Sequence, residues 1–234
     1  MDNGSYALRK REETVVASSL KLMRECGHFD ITYGKISDIT GIPSTTIYRM
    51  FPRKSDLLAC CTIYIVNSLP QIFKRINKMR LTAKEKLCVF SCFPYYCCSI
   101  SNEVFDVVFS GANSVFLSEC SGEAKLRLTG AIKSLYVRRK EFFDQQVEQG
   151  IKHPEMINPK ILYRHLTILS RGASHLGYLK SFGINECELE DILEITMSVL
   201  DSLNWNNEHQ RFDRHLVCAA LRTLSDRENI NGKQ

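Results

Sequence analysis

Strand signals are scarce in this chain. Alternating apolar and polar runs are short, and no Asn-Gly pair separates two of them; Asn231-Gly232 lies near the last residues. A sheet-based fold is therefore not expected. No run of eighteen or more uncharged apolar residues occurs, so no membrane span is expected. The start is polar and runs into Arg9, Lys10, Arg11, Glu12 and Glu13, with no apolar signal core behind them. That points to the cytoplasm. Patterns that carry chemistry are missing too. There is no glycine-rich phosphate loop, no GxSxG elbow and no HExxH pair. An enzyme is not expected, and no cofactor is implied. No two cysteines have the CxxC spacing and the histidines are scattered, so no metal site is expected. Internal repeats and low-complexity segments are absent as well.

What is there is ordinary globular composition. Hydrophobic residues make up 44% and charged residues 24%, enough apolar material for a core. The ten cysteines should be reduced thiols in a cytosolic chain. Net charge is +5. Residues 1–55 hold nine Lys/Arg and six Asp/Glu, and the remainder holds 22 and 20. The basic excess is concentrated in the shorter part, which suits a polyanionic partner, since Lys and Arg displace counterions from phosphates.

Helical periods and caps dominate the pattern, so the expected fold class is all-α. Val16, Leu20 and Met23 share one face of a first helix that Gly27 can end. Thr32 can cap a second helix holding Ile36 and Ile39, and Gly41 ends it. Ile47, Met50 and Phe51 mark a third, stopped by Pro52. A fourth starts near Ser55 and passes Leu69, with Pro70 as a kink or a break. Thr82 and Glu85 have capping-box spacing. Ser101 and Ser121 can cap later helices. A long helix spans about residues 123–149. Asn158-Pro159 reads as a cap and first helical residue, opening a helix that ends near Gly183. Asn185 and Glu188 read as a further capping box, for a helix to about Leu203. Three parts follow: residues 1–55, a helical domain over 56–205, and a polar tail over 206–234 with a possible helix at 213–224.

The stretch from Ile36 to Phe51 is a short helix, a turn at Gly41 and a second helix. Such a pair can cross steeply and project its second helix into a major groove. Ile36, Ile39, Ile42, Ile47 and Phe51 would hold the angle by burial, and small Ser37 would let the helices approach. Ser44, Thr45, Thr46, Tyr48 and Arg49 then face outward, with hydroxyls and a guanidinium suited to bases and phosphates. An ordinary helical hairpin with a solvated face has the same pattern.

The flanks carry more. Gly27, Thr32, Ile36, Ser37, Ile39, Gly41-Ile42, Thr46-Ile47-Tyr48, Phe51-Pro52 and Lys54 with Leu57 resemble, without a gap, the N-terminal domain of the TetR family of transcriptional repressors. The resemblance covers about residues 9–60. It implies a regulator that binds a pseudo-palindromic double-stranded DNA operator as a homodimer. Thr32, Tyr48 and Lys54 would contact the phosphate backbone, and Ser44, Thr45, Thr46 and Arg49 would read the groove. Gly34 departs from the pattern, standing where many members carry a basic residue; Lys35 is its nearest substitute. Met50 stands where Tyr or His is frequent, and Pro43 where Ser is.

For the rest of the chain the resemblance implies a helical core with a ligand pocket, dimerising through helices at 159–180 and 186–203. Small Ser170, Gly172, Ala173, Ser174 and Gly177 suit either that interface or close packing within one subunit. The middle is rich in aromatics. Phe93, Tyr96, Phe105, Phe109, Tyr136 and Phe143 are the candidate contacts for a small apolar or amphipathic effector, although aromatics also fill plain cores. Cys88 and Cys92 share a helix face, which suits a soft metal, a redox switch or simple packing. The alternative to a regulator is a helical ligand- or partner-binding protein that has lost DNA regulation.

Overall fold

The computed structural model describes residues 3–26, 31–100, 114–179, 183–184, 187–206 and 212–225. Among these there are ten α-helices and no strand. They are α1 (Asn3–Cys26), α2 (Tyr33–Thr40), α3 (Ser44–Met50), α4 (Lys54–Lys78), α5 (Ala83–Ile100), α6 (Ser114–Glu119), α7 (Gly122–Gly150), α8 (Pro159–Leu179), α9 (Leu189–Asp201) and α10 (Arg214–Ser225). The sole sheet-like contact among the described residues is an isolated antiparallel bridge, Ile151 with Trp205. The fold is all-α, as the helical periods imply.

The helix ends follow local chemistry. Thr32 caps α2, its Oγ1 accepting the Lys35 N–H at 3.3 Å, and Gly41 ends α2 at φ 68°. Thr82 and Glu85 close their capping box at the start of α5. Ser121 Oγ accepts from Ala124 N–H at the start of α7. Asn158 Oδ1 accepts from the Lys160 and Ile161 N–H groups at the start of α8. Each such cap contributes about 1 kcal/mol. One expected box moves: the pair that opens α9 is Glu188 with Asp191, not Asn185 with Glu188. Glu188 has a carboxylate that can reach the third N–H, and Asp191 reaches back. Gly27, Ser101 and Asn185 lie outside the described residues. Pro70 sits inside α4 without ending it.

The chain divides into two compact units. The first holds Met1–Asn67 with Glu103–Lys133, and the second Ser68–Asn102 with Ser134–Gln234. Helices α4 and α7 contribute to both. In the first unit, Val15, Val16, Leu20, Met23, Ile36, Ile47, Phe51, Leu57 and Cys61 form one buried cluster. Ile39 does not join it, and is 50% exposed. At about 100° per residue, six residues carry Ile39 roughly 120° away from buried Tyr33. The one turn of α2 that faces the core is thus filled by Tyr33 and Ile36.

The second unit is organised on α5, against which α8, α9 and α10 all pack. Leu87, Cys88, Val89, Phe90, Cys92, Phe93 and Tyr95 of α5 are buried. Tyr95 donates to the Cys187 carbonyl at 2.7 Å. The small residues of α8 serve this packing. Ser170, Ala173 and Ser174 are buried, and a Cβ on Gly177 would stand 3.2 Å from the Tyr95 ring. Only Gly172 of the five is exposed. Close packing within one subunit is therefore what four of them do. The possible helix at 213–224 is present as α10 and is packed. Val217, Ala220, Leu221 and Leu224 of α10 are buried, and Asp213 N–H donates to the buried Glu85 carboxylate at 3.0 Å.

Helix α4 is long and apolar enough to cross a membrane by length and composition, with 44% of the qualifying stretch buried. Its buried Leu57, Cys61, Val66, Ile72 and Ile76 belong to the protein interior.

The contact at Gly150 is the tightest glycine approach among the described residues. A Cβ there would lie 2.4 Å from the Ala83 Cβ and 3.0 Å from the Trp205 ring. Gly150→Ala should therefore cost about 1–3 kcal/mol through overpacking. Urea unfolding followed by the fluorescence of Trp205, the single tryptophan, checks this. An unchanged midpoint would contradict the packing described.

Candidate nucleic-acid interface

Helix α3 is held by what lies beneath it. Three residues, Gly41 to Pro43, separate α2 from α3. Ile36 and Ile47 are fully buried across that turn and Phe51 nearly so. Each such burial contributes roughly 1.5–3 kcal/mol. Tyr33 adds a polar tie, donating its hydroxyl to the Phe51 carbonyl at 2.7 Å. Its ring meets Tyr48 edge-on, with centroids 4.4 Å apart. Burial, followed by the nearby Tyr48 and Asp56, raises the Tyr33 pKa to about 12. Tyr33 stays neutral and keeps donating through the physiological range. Its place in the site was not legible in sequence; an aromatic directly after a cap, one helical turn before small Ser37, was the only cue.

The outward face of α3 carries the expected groups. Thr45, Tyr48 and Arg49 are exposed, and Ser44 and Thr46 are half-buried. Arg49 makes no ion pair among the described residues. Thr32 and Lys35 are exposed at the start of α2, and Lys54 is exposed at the start of α4. Pro43 starts α3 without a side-chain cap; its carbonyl instead accepts from Thr46 and Ile47 N–H. Met50 is half-buried against the cluster below, so it takes part in packing rather than in the exposed face.

The start of α4 is fastened to the α6–α7 junction. Arg53 Nη1 and Ser55 Oγ both donate to the Glu119 carbonyl at 2.9 Å. Ser121 N–H donates to Asp56 Oδ1 at 2.7 Å. Glu12 of α1 pairs with Arg127 of α7 and accepts a weak contact from the Cys60 thiol. The segment that follows α3 is thereby tied to elements far away in sequence.

No family profile matches this chain, and no curated protein matches it in sequence. Solved structures do match in shape. The transcriptional regulator FadR from Bacillus subtilis, solved with stearoyl-CoA, covers 81% of this chain and 95% of its own at 16% identity, with a TM-score of 0.52. A TetR/AcrR-family regulator from Thermobifida fusca covers 86% and 100% at 14% identity, TM-score 0.50. The superantigen PfiT covers 84% and 97% at 13% identity, TM-score 0.57. The chain has the TetR fold.

The candidate effector contacts of this TetR-fold chain are dispersed. Phe93 and Phe143 are buried, Tyr96 is half-buried and Tyr136 is 44% exposed. Phe105 and Phe109 lie outside the described residues. A cleft of about 420 Å³ in the second unit is lined instead by Pro70, Phe73, Lys74, Asn77, Arg138, Glu141, Phe142 and Gln145. None of the four described candidates lines it. Its apolar wall is Phe73 and Phe142, 5.7 Å apart, and Phe90, which does not line the cleft, stacks on Phe142 at 5.1 Å. A proline one turn before an aromatic on α4 is the sequence cue that could have pointed there.

Cys88 and Cys92 do lie together, and the hydrogen bond between them, followed by burial, raises the Cys88 pKa. Burial likewise raises Cys60 and Cys98 to about 12 and pushes Cys61 up as well. Thiolate is the reactive species, and burial favours the protonated thiol at these positions of the TetR-fold chain.

Gly34 gives the site its sharpest test. It is exposed, its φ is ordinary, and a Cβ there would meet only Thr32 Oγ1 at 3.8 Å. Nothing steric demands glycine. Gly34→Lys should stabilise α2 by roughly 0.5–1 kcal/mol. Were this edge of α2 to lie on DNA, the lysine would also strengthen binding to any duplex, steepening the salt dependence by about one for each further phosphate neutralised. Thermal unfolding and DNA titration at several salt concentrations would show both effects. A stabilised variant with unchanged DNA binding would place this edge of α2 away from the phosphates.

Proposed function

We propose that the chain is a ligand-responsive transcriptional regulator, acting as a repressor, that binds a pseudo-palindromic operator in double-stranded DNA as a homodimer. The observation that carries this reading is the exposed Thr45, Tyr48 and Arg49 of α3, standing on a buried Ile36–Ile47–Phe51 base. Residues 1–55 are the reading module, 56–205 the sensing and dimerising domain, and 206–234 the C-terminal part that carries α10. The protein works in the cytoplasm and has no catalytic role.

In this reading Thr32, Lys35, Tyr48 and Lys54 hold phosphates. Ser44, Thr45, Thr46 and Arg49 read bases. One reading helix covers too few base pairs to find a site in a genome. A dimer places two of them about 34–36 Å apart, one DNA turn or a multiple. Exposed Ile161 and Ile168 of α8 and Ile195 of α9 supply apolar surface for the partner subunit. FadR, the neighbour solved with stearoyl-CoA, supports an amphipathic effector. The effector must bind the DNA-incompetent state more tightly, since equal affinity shifts nothing.

PfiT, described as a superantigen, keeps a second reading in view. In that reading the fold binds another partner, and Gly34 and Met50 reflect a DNA-binding role that has lapsed.

Two substitutions separate these readings, measured on DNA from upstream of the protein's own gene and on scrambled DNA. Lys54→Ala should weaken both DNAs equally and lower the salt slope by about one for each phosphate no longer neutralised. Arg49→Ala should cost about 1–3 kcal/mol per half-site on the operator alone. Equal weakening on both DNAs would make Arg49 another phosphate anchor. No effect of either substitution would leave the partner-binding reading standing.

Sedimentation should give a dimer at micromolar concentration, and Ile168→Glu should shift it towards monomer. A wild-type monomer binding an asymmetric site would refute the dimeric reading.

A further inference from the structure

Within the second unit, α7 and α8 run antiparallel. The Arg171 guanidinium faces the Tyr136 hydroxyl at 3.5 Å, and the Phe143 and Tyr163 rings meet edge-on at 5.2 Å. That register sets Arg139 level with Thr167. The Arg139 guanidinium lies over the Phe90 ring of α5, 5.0 Å from its centroid. Three helices therefore converge on one cation.

Arg139 makes no ion pair among the described residues. Its Nε is sealed from solvent without a hydrogen-bond partner, and so are the Tyr163 hydroxyl and the Thr167 hydroxyl. Tyr163 stands near enough to favour the charged guanidinium, yet its hydroxyl makes no hydrogen bond to the Nε. Arg171, another guanidinium, also acts on Arg139, and burial pushes the Arg139 pKa down. Buried charges are ordinarily paired, and buried polar atoms ordinarily find partners. Here the Arg139 Nε and the Tyr163 hydroxyl stand near each other without an acceptor, and a second positive charge acts on Arg139. The helix register sets the unsatisfied Thr167 hydroxyl level with them, and no described acid is paired with Arg139.

We propose that Arg139 anchors an oxyanion site between α7 and α8, taking the carboxylate or phosphate group of a small organic anion. A guanidinium offers a planar fork of donors that matches either group. Tyr163 and Thr167 supply neutral donors beside it. Phe90 and Phe143 supply apolar walls for an attached chain or ring. Arg139 as a whole keeps part of its surface accessible, which leaves a way in. The proposal deepens the effector reading above and rests on it, by giving the effector a negative charge. Aromatic cation stacking alone does not account for it, because Phe90 covers one face of the guanidinium and leaves the in-plane Nε unsatisfied.

The test uses the full chain and four probes: octanoate, octyl phosphate, inorganic phosphate and uncharged octanol. Thermal unfolding and release from operator DNA are both read. Octanoate or octyl phosphate should raise the midpoint by roughly 5–10 °C at a hundredfold excess over Kd, and octanol should not. Arg139→Met, which keeps the stem on Phe90, should remain folded in anion-free buffer and lose the shift. Arg139→Lys should keep part of it. A shift with inorganic phosphate as large as with octyl phosphate would support the oxyanion site and remove the role of the apolar walls. Failure of all three anions to shift the wild type would overturn the site, as would an equal shift in Arg139→Met. A response to octanol undiminished in Arg139→Met would overturn the anion site while leaving the effector reading intact. Loss of stability in anion-free Arg139→Met, with no anion response in the wild type, would make Arg139 a structural cation.

Discussion

A short turn cannot by itself hold two helices at a fixed angle. Between α2 and α3 the backbone offers only Gly41, Ile42 and Pro43, and no side chain caps α3. The angle is set by burial on either side of the turn: Ile36 and Ile47 at zero exposure, with Phe51 behind them. Every exposed group on α3 inherits its direction from that contact. Tyr33 reinforces it by bonding the carbonyl at the end of α3, where a helix leaves acceptors unpaired. The same phenol meets Tyr48, so one residue supports both the base and the exposed face of α3.

The helix ends were legible because capping is local chemistry. Thr32, Gly41, Thr82, Ser121 and Asn158 each act within a few residues of their own position. So was the outward face of α3, which follows once Ile47 is taken as buried. Other features depended on contacts across the chain. Ile39 belongs to a helix too short to bury a whole stripe. The small residues on α8 announce a close approach without naming the neighbour, and the neighbour is α5. Helix α10 was legible as a possible helix at 213–224, but its packing against α5 was not. Arg139 falls three and four residues before buried Phe142 and Phe143, on the inward side of α7. That spacing was readable, but which groups would stand opposite it was not.

Two kinds of polar burial coexist in this chain. Glu85 and Asp56 are buried acids, and each takes backbone N–H donors from a distant segment: Asp213 for one, Ser121 for the other. They act as fasteners between pieces of chain. Arg139 has no such acceptor among the described residues. Fasteners fix one arrangement, whereas an unsatisfied donor set favours whatever supplies the missing acceptor. The first kind belongs to the architecture, and the second is where an outside molecule has something to add.

The Glu85 carboxylate has a consequence for how the chain is handled. One oxygen accepts from Thr82 at the start of α5, and the other accepts from Asp213 at the start of α10. A protein shortened before residue 212, to remove an apparently dispensable end, would leave that second oxygen buried without its donor. It would also strip α10 from an α5 that is apolar nearly all round. Recombinant versions should keep the chain through Ser225, and tags belong beyond it. The segment that looks most like a trailing end is the piece that closes the second unit.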